Sequence, residues 1–395
     1  MSSGSYPRSE FGGVYTLSAG PTAATPETLA ALSRPVLYHH DPEFLDLYEQ
    51  TVERLKQAFR SETTPVVMHG EAVLGLEAAA ASLISPTEVV LNLVSGPFGK
   101  GFGHWARRYA REVIELEVPF NESIDVAAVR QVLADRADVT VVAAVHCETP
   151  AGTINDLFRI GPAVHEHGAL LLVDAVASFG GEKADFDAWH ADLVVVGPQK
   201  CLSGPTGLSM LHVSERAWAH MEANPRAPRS SFLSILDWRD AHLAARPFPF
   251  TPSISLIFAL DAALRQYLDE GAEAVLARHH QAAEAVRAGS QALGLSLWAA
   301  DPSICSDTVT ALATPDGVDE AEIRALARRQ SGVMLSGGSG ELAGKVLLVA
   351  HMGTSAVPTA PVLAVTALGR ALRSLGKKAD IGGAVEAALS AGSGG

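Results

Sequence analysis

A lysine and an aspartate end two neighbouring apolar runs in this chain: Lys200 follows Leu193-Val194-Val195-Val196-Gly197-Pro198-Gln199, and Asp174 follows Leu170-Leu171-Leu172-Val173. An amine can hold an aldehyde as a Schiff base, and a carboxylate can keep a pyridine nitrogen protonated so that the ring accepts electrons from a substrate carbanion. The pair is what pyridoxal chemistry requires. Each run has the length and the Val/Leu content of a strand buried on both faces of a parallel sheet. Ligands of such sheets collect at the carboxyl ends of the strands. That context, with the Gly/Pro setting, separates Lys200 from a solvated loop lysine.

A second segment, Met68-His69-Gly70-Glu71-Ala72-Val73-Leu74-Gly75, reads as a strand end, a glycine turn and the start of an Ala-rich helix. Free N–H groups at such a helix start, among them those of Ala72 and Val73, suit a phosphate. Here a carboxylate, Glu71, stands at the first turn. Acidic residues favour helix N-termini in any case, by a few tenths to about 1 kcal/mol. If the turn belongs to a cofactor site, however, Glu71 repels a phosphate dianion and takes its place, leaving room for a hydroxymethyl group.

The elements that must position these residues follow from periodicity and capping. A helix starts at Thr25-Pro26, with Thr as cap and Pro at its first position, and a second runs from Pro42 to Phe59 behind Asp41. Strands are expected at Val66–Met68, Val89–Val94, Val113–Val118, Val139–Val145, Leu170–Val173, Leu193–Val196 and Leu208–Val213, with helical stretches between most of them. That pattern is an open α/β sheet of seven strands. A loop-rich passage from Asn224 to Pro252 precedes a long helical region, Ile254 to Leu293. The remainder reads as a smaller α+β domain with strands Thr308–Ala313 and Val346–Val349 and helices Asp319–Arg329 and Pro358–Leu375. The expected division is a polar arm over residues 1–24, a large domain over 25–265 and a small domain over 266–395.

Composition limits the function classes. A 395-residue chain with 48% hydrophobic content can bury a large core. A net charge of −14 argues against nucleic-acid or anionic-membrane surfaces. No apolar stretch reaches bilayer length and the first residues carry no apolar signal region, so a cytoplasmic location is expected. Three scattered cysteines, Cys147, Cys201 and Cys305, form no disulfide framework, and no His/Cys spacing marks a metal site.

The chain resembles the class V aminotransferases of the alanine–glyoxylate aminotransferase group, and within it a transaminase that takes free pyridoxamine. The likeness runs from about Leu17 to Ala388. It is carried by Ser18-Ala19-Gly20-Pro21, Tyr38 with Asp41-Pro42, His69-Gly70-Glu71 with the helix after it, Gly99-Lys100-Gly101-Phe102-Gly103, Thr149-Pro150-Ala151-Gly152-Thr153, Val173-Asp174-Ala175-Val176, Lys200-Cys201-Leu202, Pro247 to Ser253, and His351-Met352-Gly353. The resemblance implies an aspartate-aminotransferase-like fold for pyridoxal enzymes: a seven-stranded, mostly parallel sheet in a large domain, plus a smaller α+β C-terminal domain. It implies pyridoxal 5'-phosphate, or unphosphorylated pyridoxal or pyridoxamine, held as a Schiff base on Lys200. Lys200 then shuttles the proton, Asp174 pairs with the ring nitrogen, and Val176 and Phe98 cover the two ring faces. Thr149 bonds the phenolic oxygen, Gln199 lines the cofactor, and His146 lies near the ring. Tyr38 and Glu71 line the pyridoxamine pocket, Gly20 touches substrate, and Thr251 reaches into the partner's site of a homodimer or homotetramer.

One departure from the family pattern bears on the substrate. The group holds substrate carboxylate with arginines of the small domain, because a guanidinium matches a carboxylate in shape and charge. At the corresponding positions this chain has Ser339 and Leu348. Losing one such pair costs on the order of 1.5–3 kcal/mol, so a small 2-oxo acid should be a poor acceptor. An uncharged or apolar partner, or one held by Arg229 or Arg246, is expected instead. Two alternatives stand beside transamination: a pyridoxal-dependent lyase or decarboxylase acting on an amine or amino-acid-like substrate, and a non-catalytic pyridoxal carrier.

Overall fold

The computed structural model describes residues 14–241, 243 and 248–392; the polar arm before residue 14, Arg246, Pro247 and the last three residues lie outside the described residues. The chain divides into two compact units. The larger comprises residues 24–148 and 154–275, and the smaller, among described residues, 14–23, 149–153 and 276–392.

The large unit is built on seven strands: β1 (Val66–His69), β2 (Val89–Val94), β3 (Glu112–Glu117), β4 (Val139–Val145), β5 (Leu170–Asp174), β6 (Leu193–Val196) and β7 (Leu208–Val213). Their order across the sheet is β1-β7-β6-β5-β4-β2-β3. The pairs β2–β3, β2–β4, β4–β5 and β5–β6 are parallel, and β7 is antiparallel to both neighbours. Six strands therefore point the same way. Every residue of β2, β6 and β7 is buried, as continuous apolar runs require when both faces are covered. Edge strand β3 instead alternates glutamates with apolar residues and stays partly exposed, which discourages pairing with another sheet.

Helices α1 (Pro26–Leu32), α2 (Pro42–Phe59), α3 (Ala72–Leu83), α4 (Pro97–Tyr109), α5 (Val126–Asp135), α6 (Leu157–His167), α7 (Glu215–Ala223) and α8 (Ile254–Glu270) complete the unit. The anticipated caps are in place: Thr25 accepts the N–H of Thr28, and Asp41 that of Glu43. Helix α2 buries Phe44, Tyr48, Val52, Leu55 and Phe59, so the apolar periodicity read from the sequence marks its inner face. The long helix expected over Ile254–Leu293 is two helices, α8 and α9 (Ala272–Ala292), separated by Gly271 at φ +84°. That backbone conformation ends a helix and favours glycine.

The small unit has a three-stranded antiparallel sheet in the order β8 (Val309–Ala313), β10 (Val346–Ala350), β9 (Ser336–Gly337). Helices α10 (Glu320–Ser331), α11 (Thr359–Ser374) and α12 (Ile381–Gly392) accompany it. Its core joins Leu312, Leu347 and Val349 of the sheet to Ile323, Leu326, Val365 and Leu368. No helix among the described residues is long and apolar enough to cross a membrane.

One close approach in the large unit bears on the site. Helix α6 passes so near Trp189 that a Cβ on Gly161 would stand 1.9 Å from the Trp189 carbonyl oxygen, and the Trp189 ring in turn packs edge-on to His146 at 4.6 Å. Overpacking of this kind typically costs 1–3 kcal/mol. Gly161→Ala is therefore expected to destabilise the protein by on the order of 3 kcal/mol, because backbone rather than a pliable side chain must move. A urea titration reads the shift as a lower midpoint at unchanged slope; a wild-type midpoint would contradict it.

Candidate active site

Because six strands run in one direction, their carboxyl ends share one edge of the sheet, and the candidate residues follow from those ends. After β1, Gly70 adopts φ +141° and donates its N–H to the Gly207 carbonyl at 2.9 Å. The fully buried Ser209 of β7 stands 3.0 Å from the carbonyls of both Gly70 and Glu71 and accepts the Gly75 N–H at 3.2 Å. Gly75 has no room for a side chain there: a Cβ would meet Ser209 at 2.8 Å and Val195 at 2.9 Å. The start of α3 is thereby pinned to the sheet.

Glu71 sits one step earlier than the first turn, as the N-cap of α3. Its Oε2 accepts the Val73 N–H at 2.9 Å, and its Oε1 accepts from Gln199 Nε2 at 2.6 Å. One of the N–H groups a phosphate would use is already bound to a carboxylate, and Gln199, beside Lys200, holds that carboxylate in place. The first bond is a local cap, and the second joins residues far apart in sequence.

Lys200 follows β6 and Asp174 ends β5, the adjacent parallel strand. Burial pushes the Lys200 amine below its ordinary range, against the opposing charges of Asp174 and Glu71. Burial also pushes the Asp174 carboxyl up to about 6; the Val176 N–H, at 2.9 Å from Oδ1, and Lys200 hold it down, while Glu71 adds to the rise. Desolvation disfavours the charged forms of both groups, so burial lowers the basicity of the amine and makes a nearby cation favourable for the carboxylate. Cys201 is buried, its thiol donating to the Ala177 carbonyl at 3.5 Å. It is packed, not presented.

His146 follows β4 and donates its backbone N–H to the Asp174 carbonyl at 2.8 Å. Burial pushes its imidazole down to about 3, and Nδ1 has no hydrogen-bond partner. Phe98, in the first turn of α4 after β2, is 42% exposed. Its N–H and that of Gly99 are both taken by the buried carboxylate of Glu148, a residue that sequence reasoning passed over. The available signal was an acid three residues past the end of the apolar run Val139–Val145.

The remaining candidates are more dispersed. Ala72 is buried and Val73 is 47% exposed at the start of α3. Tyr38, 66% exposed, stands in the turn before α2 beside the rings of His39 and His40, and Thr251 is exposed ahead of α8. Arg229 is ion-paired with Asp237 at 3.7 Å; Arg246, as noted above, lies outside the described residues. Thr149, 2% exposed, falls in the short segment that groups with the small unit. Gly20, Ser339 and Leu348 also belong to the small unit. Within that unit, Leu348 of β10 lies opposite Ala311 on one side and Ser336 on the other and is 3% exposed, whereas Ser339 is exposed. The Ala19 N–H donates to Ser336 Oγ at 2.9 Å, which ties the Ser18–Gly20 segment to this sheet.

A buried amine, a buried carboxylate on the next strand and a second carboxylate at a helix start fit a pyridine aldehyde. They fit one carrying a hydroxymethyl group better than one carrying a phosphate dianion, since the phosphate would face Glu71 across a single helix terminus.

Comparison with known proteins agrees with this geometry. Residues 100–356 match the family model for aminotransferase class V. The chain is 55% identical over 376 residues to a pyridoxamine–pyruvate transaminase of Mesorhizobium japonicum, covering 95% of this chain and 96% of that protein. Its fold superposes on the crystal structure of a pyridoxamine–pyruvate aminotransferase from Mesorhizobium loti with a TM-score of 0.95 at 53% identity, over 99% of this chain and 98% of the other. A ureidoglycine–glyoxylate aminotransferase from Bacillus subtilis gives 0.90 at 30% identity, over 95% and 97%. With the doubly covered sheet, the strand-end lysine and aspartate, and these likenesses together, the chain belongs to the class V aminotransferases.

Proposed function

We propose that this enzyme is a pyridoxal-dependent aminotransferase that works on the unphosphorylated ring, like its pyridoxamine-using relative, and passes the amino group to an acceptor other than a small 2-oxo acid. The observation that carries the reading is Glu71, fixed between the Val73 N–H and Gln199 at the helix start where a phosphate would otherwise bind.

When bound, the ring supplies an electron sink for the amine-bearing carbon of the substrate. The chain's own groups do the rest. Lys200 Nζ, whose basicity burial lowers, would be the nucleophile toward the aldehyde and the group that takes and returns the proton at the substrate carbon. Asp174 keeps a proton on the pyridine nitrogen by charge. Glu71 would accept the hydroxymethyl hydrogen bond, Phe98 and Val176 would cover the ring faces, and Gln199 and His146 would line the ring's polar edge. Ala72 and Val73 form the helix start beside it, and Tyr38 would contact the substrate. Exposed Thr251 is offered to the partner's site in a homodimer, and the enzyme works in the cytoplasm on small amine and oxo compounds.

The acceptor half follows from the small unit. In place of two carboxylate-binding arginines stand an exposed serine, Ser339, and a buried leucine, Leu348. Leu348 offers no charge to a substrate carboxylate, which favours an uncharged oxo acceptor. The packed Cys201 speaks against the sulfur-transfer form of the lyase alternative.

Two outcomes test this reading. In single-turnover reactions of the pyridoxamine-loaded enzyme, pyruvate should require at least about a hundredfold higher concentration than an apolar aldehyde or ketone, the loss expected when charge-assisted pairs are missing. Lys200→Ala should abolish turnover with either. Pyruvate reacting at micromolar concentration would overturn the acceptor assignment, and full activity of Lys200→Ala would overturn the mechanism.

The second outcome concerns pH. Asp174 titrates at about 6 and pairs with the ring only when ionised, so pyridoxamine affinity should fall on acidification through that value, by up to about tenfold per pH unit. The ring's own ionisation is common to both proteins, so the difference between wild type and Asp174→Asn isolates the carboxylate. It should be largest at pH 8 and shrink by up to about tenfold by pH 5. A difference independent of pH would remove Asp174 from the ring nitrogen.

A further inference from the structure

In Ser95-Gly96-Pro97-Phe98-Gly99 two glycines flank the aromatic, and neither has the positive φ that would call for glycine. A side chain is excluded at Gly96 by Glu148, and at Gly99 by the Leu93 carbonyl first and Glu148 second. A Cβ on Gly96 would lie 2.6 Å from the Glu148 carboxylate, and one on Gly99 would lie 3.2 Å from Oε1 and 2.8 Å from the Leu93 carbonyl. Gly96 makes no side-chain capping bond. The first turn of α4 is capped instead from the segment that follows β4: Glu148 Oε1 accepts the Gly99 N–H at 2.7 Å and Oε2 accepts the Phe98 N–H at 3.1 Å.

A local serine or aspartate cap would satisfy the same groups at the surface. Glu148 is fully buried, and burial, with the nearby charge of Asp174, pushes its carboxyl up to about 8 despite both N–H donors. An arrangement this unfavourable electrostatically fixes something a surface cap does not. Phe98 is 42% exposed, so its ring is not held by packing in the core and its placement depends on its backbone.

We propose that Glu148 is the positioning residue for Phe98, clamping the first turn of α4 so that the exposed phenyl ring meets the pyridine ring at a fixed height and tilt. This rests on the reading that Phe98 covers the ring. Glu148→Gln keeps the shape and one acceptor but points an amide NH2 at the other N–H, releasing one arm of the clamp. Gly96→Ala displaces the same carboxylate without removing it.

The test is a double-mutant cycle on pyridoxamine affinity, read together with the near-ultraviolet circular dichroism of the bound ring and the thermal midpoint. Phe98→Ala should weaken binding by up to about tenfold, the worth of an aromatic stack. Glu148→Gln and Gly96→Ala should each cost a similar factor and alter the dichroism of the bound ring. Phe98→Ala/Glu148→Gln should bind no worse than Phe98→Ala alone, because both remove one interaction. Losses that multiply toward a hundredfold would overturn the proposal. So would wild-type affinity and dichroism in Glu148→Gln or Gly96→Ala with only a lowered midpoint, which would leave Glu148 a structural cap while the stacking reading stands. Wild-type affinity in Phe98→Ala would overturn both.

Discussion

Parallel strands cannot be joined by tight turns; each must be followed by a crossover that returns the chain to the same starting edge. Everything at this site depends on that constraint. It delivers Glu71, Phe98, His146, Asp174 and Lys200, from five stretches of sequence, to the carboxyl ends of strands that share one edge. The single antiparallel strand, β7, carries no candidate ligand contact; its Ser209 ties the Gly70–Glu71 turn down instead.

Delivery to a buried edge sets the electrostatics. Burial lowers the amine, raises Asp174 to about 6 and raises Glu148 to about 8, so charge is scarce where the ring binds and each ionised group must be answered. Glu71 differs from the others. It is satisfied by a helix N–H and a glutamine amide, and a carboxylate so held at a helix start can accept a hydroxyl but opposes a phosphate. On the proposed reading, the lysine and aspartate carry the chemistry, and Glu71 selects the form of the ring that receives it.

Much of this was legible in the sequence because it is carried by residue type. Apolar runs of strand length mark β5 and β6, and what stands at their ends, Asp174 and Lys200, could be read directly. Thr25-Pro26 and Asp41-Pro42 announce two helix starts by their capping chemistry, and Glu71 is visible as an acid at a third. The clamp on α4 was not legible, since Glu148 bonds to backbone N–H groups of residues some fifty positions away, and a backbone donor leaves no trace in residue identity. The Glu71–Gln199 bond is hidden for the same reason of distance. The break at Gly271 was masked because apolar spacing continues across it, and only the left-handed backbone separates α8 from α9.

The central claim is that Glu71 selects an unphosphorylated ring, and paired binding measurements on wild-type and Glu71→Ser enzyme address it most directly. Wild type should bind pyridoxal more tightly than pyridoxal 5'-phosphate. Removing the carboxylate should reverse the order, weakening pyridoxal and strengthening the phosphate by at least about tenfold, the scale of a charge-assisted bond gained or lost. Tight binding of pyridoxal 5'-phosphate to the wild-type enzyme, unchanged by Glu71→Ser, would contradict it.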